Sequence, residues 1–122
     1  MEFTLRPLVP IELSGNDVTK SFVALVDSGT DITMMDSEIA EVLGVDLTKA
    51  RKVTTSGVGG QKPGFLGKVN IQVNGFNEIM TFTVVFVEKL SFDVIFGQDD
   101  FFRRFHIKFE RDNEVFYLRP TL

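Results

Sequence analysis

The chain reads as a mostly β domain, a closed or folded-over sheet with one or two short helices. Three observations predict this. Apolar and β-branched runs of strand length recur from residue 8 to residue 118. Clusters of Gly, Asn, Asp, Ser and Pro separate them. Only two short stretches carry helix start and stop signals. The length of 122 residues points to a single domain, 1–122, with room for a sizeable core.

Residues 8–13 and 19–26 are the first two strands, and Ser14-Gly15-Asn16-Asp17 is the turn that makes them a hairpin. A helix is expected over 37–43, with Asp36 as N-cap, Glu38 in the first turn and Gly44 as the stop. Residues 49–55 and 65–73 read as strands, and 56–64 between them as a glycine-rich, mobile segment. Asn74-Gly75 is a hairpin signal leading to a strand at 79–87. A short strand at 92–96 runs into Gly97, and Asp99 or Asp100 can cap a short helix at about 100–104. Residues 106–110 and 115–118 form a last hairpin around 111–114. Phe101, Phe102 and Phe105 at helical spacing are expected in the core, and Arg103-Arg104 on a solvated face.

Composition narrows the function. Thirteen Phe with one Tyr and no Trp predict a Phe-packed core. A net charge of −4 argues against nucleic acid as a partner. The longest nearly apolar stretch, 82–87, is far too short to span a bilayer, so no membrane partner is expected. There is no cysteine, which removes thiolate catalysis, disulfides and Cys-based zinc sites. The first residues lack the basic-then-apolar pattern of a signal peptide, so a cytoplasmic location is expected. A piece cut from a larger protein would read the same way.

The chemistry centres on Asp27-Ser28-Gly29-Thr30, directly after the apolar run Phe22-Val23-Ala24-Leu25-Val26. Two carboxylates held face to face cannot both ionise cheaply, so they share a proton. One then activates a water while the other protonates a carbonyl oxygen, which hydrolyses a peptide without metal or covalent intermediate. A small residue and a glycine after the Asp let the backbone turn and aim its N–H groups at the carboxylate. Alone, Asp-Ser/Thr-Gly arises by chance in roughly one chain in twenty of this length, and a strand ending in a turn explains it as well.

Three blocks together resemble the retropepsin family, the single-lobe aspartic proteases of retroviruses and their cellular and bacterial relatives. Ala24-Leu25-Val26-Asp27-Ser28-Gly29-Thr30-Asp31 is similar to that family's catalytic strand and loop. Gly57-Val58-Gly59-Gly60 is similar to the tip of its flap hairpin. Val94-Ile95-Phe96-Gly97-Gln98-Asp99 is similar to its apolar-apolar-Gly-Arg-Asp/Asn segment, a strand beneath the active site. The order and similar spacing of the blocks make the resemblance specific over about residues 3–110.

The resemblance implies a closed β-barrel with a flap hairpin and an aspartic endopeptidase activity without metal or other cofactor. It implies Asp27 as the catalytic carboxylate, with Ser28, Gly29 and Thr30 supporting the loop. Ser28 would bond across a dimer. Gly29 and Asp31 would bind the substrate backbone, and Gly57, Val58, Gly59 and Gly60 would close over it. Ile32, Val58, Val94 and Ile95 are candidate walls for an apolar substrate side chain. The signature occurs once, so the second carboxylate is expected from a homodimer, with an extended peptide or unfolded protein as substrate. Two departures stand out. Gln98 occupies the family's Arg position, which removes an ion pair to Asp31. Thr30 replaces the Ala of many viral members, which predicts a more acidic pH optimum.

Other chemistries fit less well. The glycine-rich segment lacks Gly-Lys-Ser/Thr, so it is no phosphate loop. Asp27, Asp31 and Asp36 lack the glycine-turned loop of a hard-cation site. His106 is the only histidine, and without a second His or any Cys it heads no triad. It reads as a half-buried structural residue. The rival of a different class is a retropepsin-like binding or dimerisation module with little proteolysis.

Overall fold

A computed structural model describes residues 8–27, 29–57, 60–98, 101–110 and 115–120. Along it run β1 (Leu8–Gly15), β2 (Val18–Val26), β3 (Met34–Asp36), α1 (Ser37–Val42), β4 (Lys52–Gly57), β5 (Gly60–Val73), β6 (Met80–Val87), β7 (Val94–Phe96), α2 (Phe101–Arg104), β8 (Phe105–Glu110) and β9 (Val115–Pro120).

Six strands close into a barrel in the order β1-β2-β7-β3-β6-β5, sealed by a β1–β5 pairing. The 14 residues of β5 make closure possible. Its first part pairs with β4, its middle with β6, and its end, from Asn70 to Val73, with Ser14 to Ile11 of β1. The strand is long enough to bend from one neighbour to the next, so the barrel needs no separate closing element. β8 and β9 form a two-stranded sheet of their own.

Local chemistry explains the element ends. Asn16 (φ 49°) and Asp17 (φ 64°) occupy the left-handed region that a two-residue hairpin requires between β1 and β2. The Asn16 amide also donates to the carbonyls of Leu43 (3.2 Å) and Gly44 (2.7 Å), tying this turn to the end of α1. The Asp36 carboxylate accepts from Glu38 N–H at 3.0 Å and caps α1. Gly44 at φ +69° ends the helix, in a conformation an L side chain rarely adopts.

The core is rich in phenylalanine. Phe96 and Phe101 stack at 4.2 Å and 7°, and Phe101 stacks on Phe105 at 4.8 Å. Phe82 meets Phe96 edge-on, as Phe76 meets Phe105. A buried Phe contributes roughly 1.5–3 kcal/mol by its removal from water. Each such ring pair adds about 0.5–1.5 kcal/mol. These rings attach α2 and the start of β8 to the barrel directly behind β7.

Several expectations are corrected here. The segment 56–64 is not a loop throughout. β4 runs to Gly57 and β5 starts at Gly60, the two paired in register, so ladder hydrogen bonds extend the flap arms into the glycine-rich stretch. The Asn74-Gly75 turn is wider than a two-residue hairpin, because β6 begins only at Met80. β3 was not foreseen. Phe101 and Phe105 are buried while Phe102 is only half-buried, and Arg103 and Arg104 are exposed. The proposed caps Asp99 and Asp100 and the last turn, 111–114, lie outside the described residues, as does the side chain of His106. Among the described residues no helix is long and apolar enough to cross a membrane.

Candidate active site

Asp27 follows the last residue of β2. Its position is set by β7, which lies between β2 and β3, parallel to the first and antiparallel to the second. Ala24, Leu25 and Val26 pair with Val94, Ile95 and Phe96, and the Asp27 N–H continues the ladder to the Phe96 carbonyl at 3.2 Å. Both short segments are apolar, and all of their residues but the half-buried Ile95 are buried, so the carboxylate leaves the barrel from a rigid base. Asp27 itself is half-buried.

The loop after Asp27 folds back on the carboxylate. Gly29 N–H donates to Oδ1 at 2.9 Å, and the Thr30 hydroxyl donates to Oδ2 at 3.3 Å. Thr30 N–H donates to the Asp27 carbonyl at 3.2 Å, closing the turn. Each carboxylate oxygen thus accepts a hydrogen bond from its own loop, which fixes the plane of the group.

The segment after β7 holds the far side of this loop. Gln98 N–H donates to the Thr30 carbonyl at 2.8 Å. Gly97 N–H donates to the Thr33 hydroxyl at 3.2 Å in a fully buried contact. A Cβ on Gly97 would stand 2.6–2.8 Å from the backbone of Ile32, so only glycine lets the two chains approach this closely. Gly97 is required for space here, not for an unusual φ.

The other expected residues divide. Gly29 and Asp31 are exposed, and Thr30 and Ile32 are half-buried. Gly57 and Gly60 face each other at the end of the β4–β5 hairpin. Val94 is fully buried in the core, while its neighbour Ile95 is half-buried. Strand alternation sends Val94 and Phe96 inward, so Val94 is no candidate for a pocket wall and Ile95 remains one. Ser28, Val58 and Gly59 lie outside the described residues.

Thr33 was not singled out from the sequence. The available signal was a hydroxyl inside the apolar run Ile32-Thr33-Met34-Met35, a pattern typical of a buried, hydrogen-bonded polar group. Among the described residues no group of three or more His, Cys, Asp or Glu is arranged to hold a metal ion.

A family profile described as aspartyl protease matches residues 9–99, three quarters of the chain, and contains all three sequence blocks. The chain belongs to the aspartyl protease family. A solved structure of EIAV protease in complex with the inhibitor HBY-793 is similar to it, with a TM-score of 0.59 and 22% identity. That match covers 81% of this chain and 89% of the other. The fold of this family member is therefore retropepsin-like, a single β lobe. No curated protein sequence matches the chain.

Proposed function

We propose that this member of the aspartyl protease family is an aspartic endopeptidase that works as a homodimer of one-domain subunits. The observation that carries the reading is the single Asp27 carboxylate. It stands at the end of the barrel, oriented through both oxygens by its own loop, in a chain whose family hydrolyses peptides with paired aspartates. Water activation without a metal needs two such groups sharing a proton. A two-fold axis supplies the second from an identical chain.

In this reading the two Asp27 carboxylates flank the attacking water. One removes its proton while the other protonates the scissile carbonyl oxygen. Ser28 braces the two loops across the dimer. The exposed Gly29 and Asp31 lie next to Asp27 along the loop and bind the backbone of an extended peptide. Ile32 and Ile95 wall an apolar side chain. Gly57, Val58, Gly59 and Gly60 close over the substrate and exclude water. No cofactor takes part.

The test uses an unfolded substrate rich in Phe and Leu, incubated with the protein and with Asp27→Asn from pH 4 to 7. Cleavage by the wild type that is lost in the variant is the expected result. A folded dimer that cleaves at no pH and binds no statine-type transition-state mimic would assign the chain to a peptide-binding or dimerisation module instead.

A further inference from the structure

Thr33 is fully buried and polar, and it lies outside the three sequence blocks. β6 fixes its backbone, because Val85 N–H donates to the Thr33 carbonyl at 3.0 Å. Its hydroxyl accepts the N–H of Gly97 at 3.2 Å. Gly97 is the middle of three consecutive residues that each bind the loop carrying Asp27. The Phe96 carbonyl takes the Asp27 N–H, and the Gln98 N–H reaches the Thr30 carbonyl.

Two of these three contacts join backbone to backbone, so side-chain identity does not make them. The middle one depends on a side chain. It also has little slack, since the Gly97 Cα sits so close to Ile32 that even a methyl group would collide with backbone. A buried N–H left without an acceptor is costly, and the segment would have to shift to find another partner or water. Any such shift moves Phe96 and Gln98 with it, and these hold Asp27 and Thr30.

We infer that Thr33 is a positioning residue, whose buried hydroxyl seats Gly97 against Ile32 and thereby sets where the Asp27 carboxylate stands. The inference rests on the proposed role of Asp27 as the reacting carboxylate. It accounts for how the loop is braced in a chain with Gln98 at the family's Arg position, because all three contacts come from one subunit and none requires a charged side chain.

The experiment compares Thr33→Val, which keeps the shape and loses the acceptor, with Thr33→Ser, which keeps the acceptor. Val84→Ala, a core truncation in β6, controls for loss of stability alone. Thr33→Val is expected to lower kcat by about 10- to 100-fold, the penalty typical of a misplaced reacting group. KM should stay within about twofold. Thr33→Ser should remain within about threefold of wild type in kcat. Amide exchange supplies a readout that needs no activity. The Gly97, Gln98 and Asp27 amides should exchange at least about tenfold faster in Thr33→Val than in the wild type, while barrel amides of β5 do not.

Unchanged kcat in Thr33→Val, an equal fall in Thr33→Ser, or an equal fall in Val84→Ala would each overturn the inference. So would unchanged exchange at Gly97 and Gln98. Should Thr33→Val fail to fold, Thr33→Ser and the wild-type Gly97 amide decide: rapid exchange of that amide, as in an exposed loop, overturns the assignment, and strong protection with near-normal Thr33→Ser kinetics supports it. The reading of Asp27 fails separately, through Asp27→Asn that still cleaves, and leaves the exchange result standing.

Discussion

Asp27 and Asp36 each follow or end a strand and face the same local problem in different ways. In both, Oδ1 accepts from the backbone N–H two residues on, Gly29 at 2.9 Å and Glu38 at 3.0 Å. In both, Oδ2 accepts a second bond. For Asp27 the donor is the Thr30 hydroxyl of the same loop, and for Asp36 it is the N–H of Leu90, 54 positions away. Asp46 repeats the first half of the pattern, accepting from both the N–H and the hydroxyl of Thr48. The shared turn is ordinary Asx chemistry. What separates them is the next layer. Asp36 begins a helix and pins a distant loop, so its carboxylate is absorbed by structure. Asp27 is gripped from behind by β7 and the Gly97 segment, and its exposed neighbours Gly29 and Asp31 leave the loop open to solvent. An aspartate becomes a candidate catalyst when the fold holds its backbone and leaves the front of its loop open.

The sharpest way to break this comparison is to exchange the two readouts. Asp27→Asn should reduce cleavage by roughly 10²–10⁴-fold or more while the melting temperature stays near that of the wild type. A melting temperature that collapses along with activity would make Asp27 another structural aspartate. Gly97→Ala follows in size. Its new Cβ meets the Ile32 backbone at under 3 Å, so about 1–3 kcal/mol of stability should be lost in urea titrations, with activity falling too. If stability holds, the close approach is less tight than the geometry says.

Asp36→Ala should behave in the opposite sense to Asp27→Asn. Loss of the cap removes about 1 kcal/mol of stability, and kcat/KM at a temperature where the variant is folded should be unchanged. A specific loss of activity would erase the distinction drawn above. Thr30→Ala tests the donor to Oδ2. Without that hydroxyl only the Gly29 N–H, among the described residues, fixes the carboxylate, so kcat should fall by roughly 3- to 10-fold with KM nearly unchanged, and an unchanged kcat would discount the 3.3 Å contact.

Asp46 gives the smallest effect. The Thr48 hydroxyl, with its N–H second, holds this exposed carboxyl below its ordinary value. A depressed carboxyl contributes stability that is present above the unfolded value, near about pH 3.9, and is lost as the pH falls through the folded one. Thr48→Ala should therefore cost a little stability at neutral pH and progressively less as the pH falls, which flattens the acid side of the stability curve. Thermal melts at pH 3 and pH 7 would show it, and a loss at pH 3 as large as or larger than that at pH 7 would contradict it.

Much of the barrel was legible because its signals are local. The first hairpin announces itself by two strands of apolar and β-branched residues around Asn16-Asp17, and α1 by Asp36 in front and Gly44 behind. β3 was illegible for the opposite reason. Met34–Asp36 is three residues long and is a strand only because β6 pairs on one side and β7 on the other. The start of β5 was hidden as well, since glycine and Pro63 argue against a strand and only the facing β4 overrides them. In the site, Asp27 and its flanking glycine stood out by pattern. Thr33 did not, because a threonine in an apolar run shows no sign of the residue it will bond, which is 64 positions further on.

The sequence by itself determined the strand-rich character, the Phe-based core and the single Asp-Ser-Gly signature. These follow from residue type, local turn chemistry and the count of one motif. Tertiary structure alone decided which side chain walls a pocket and which fills the core, as between Ile95 and Val94. It also decided that three consecutive residues at the end of β7, Phe96, Gly97 and Gln98, grip the Asp27 loop, and that Gly97 is required for space. The physical reason is that burial and close approach are properties of pairs of segments, and neither segment carries its partner's address.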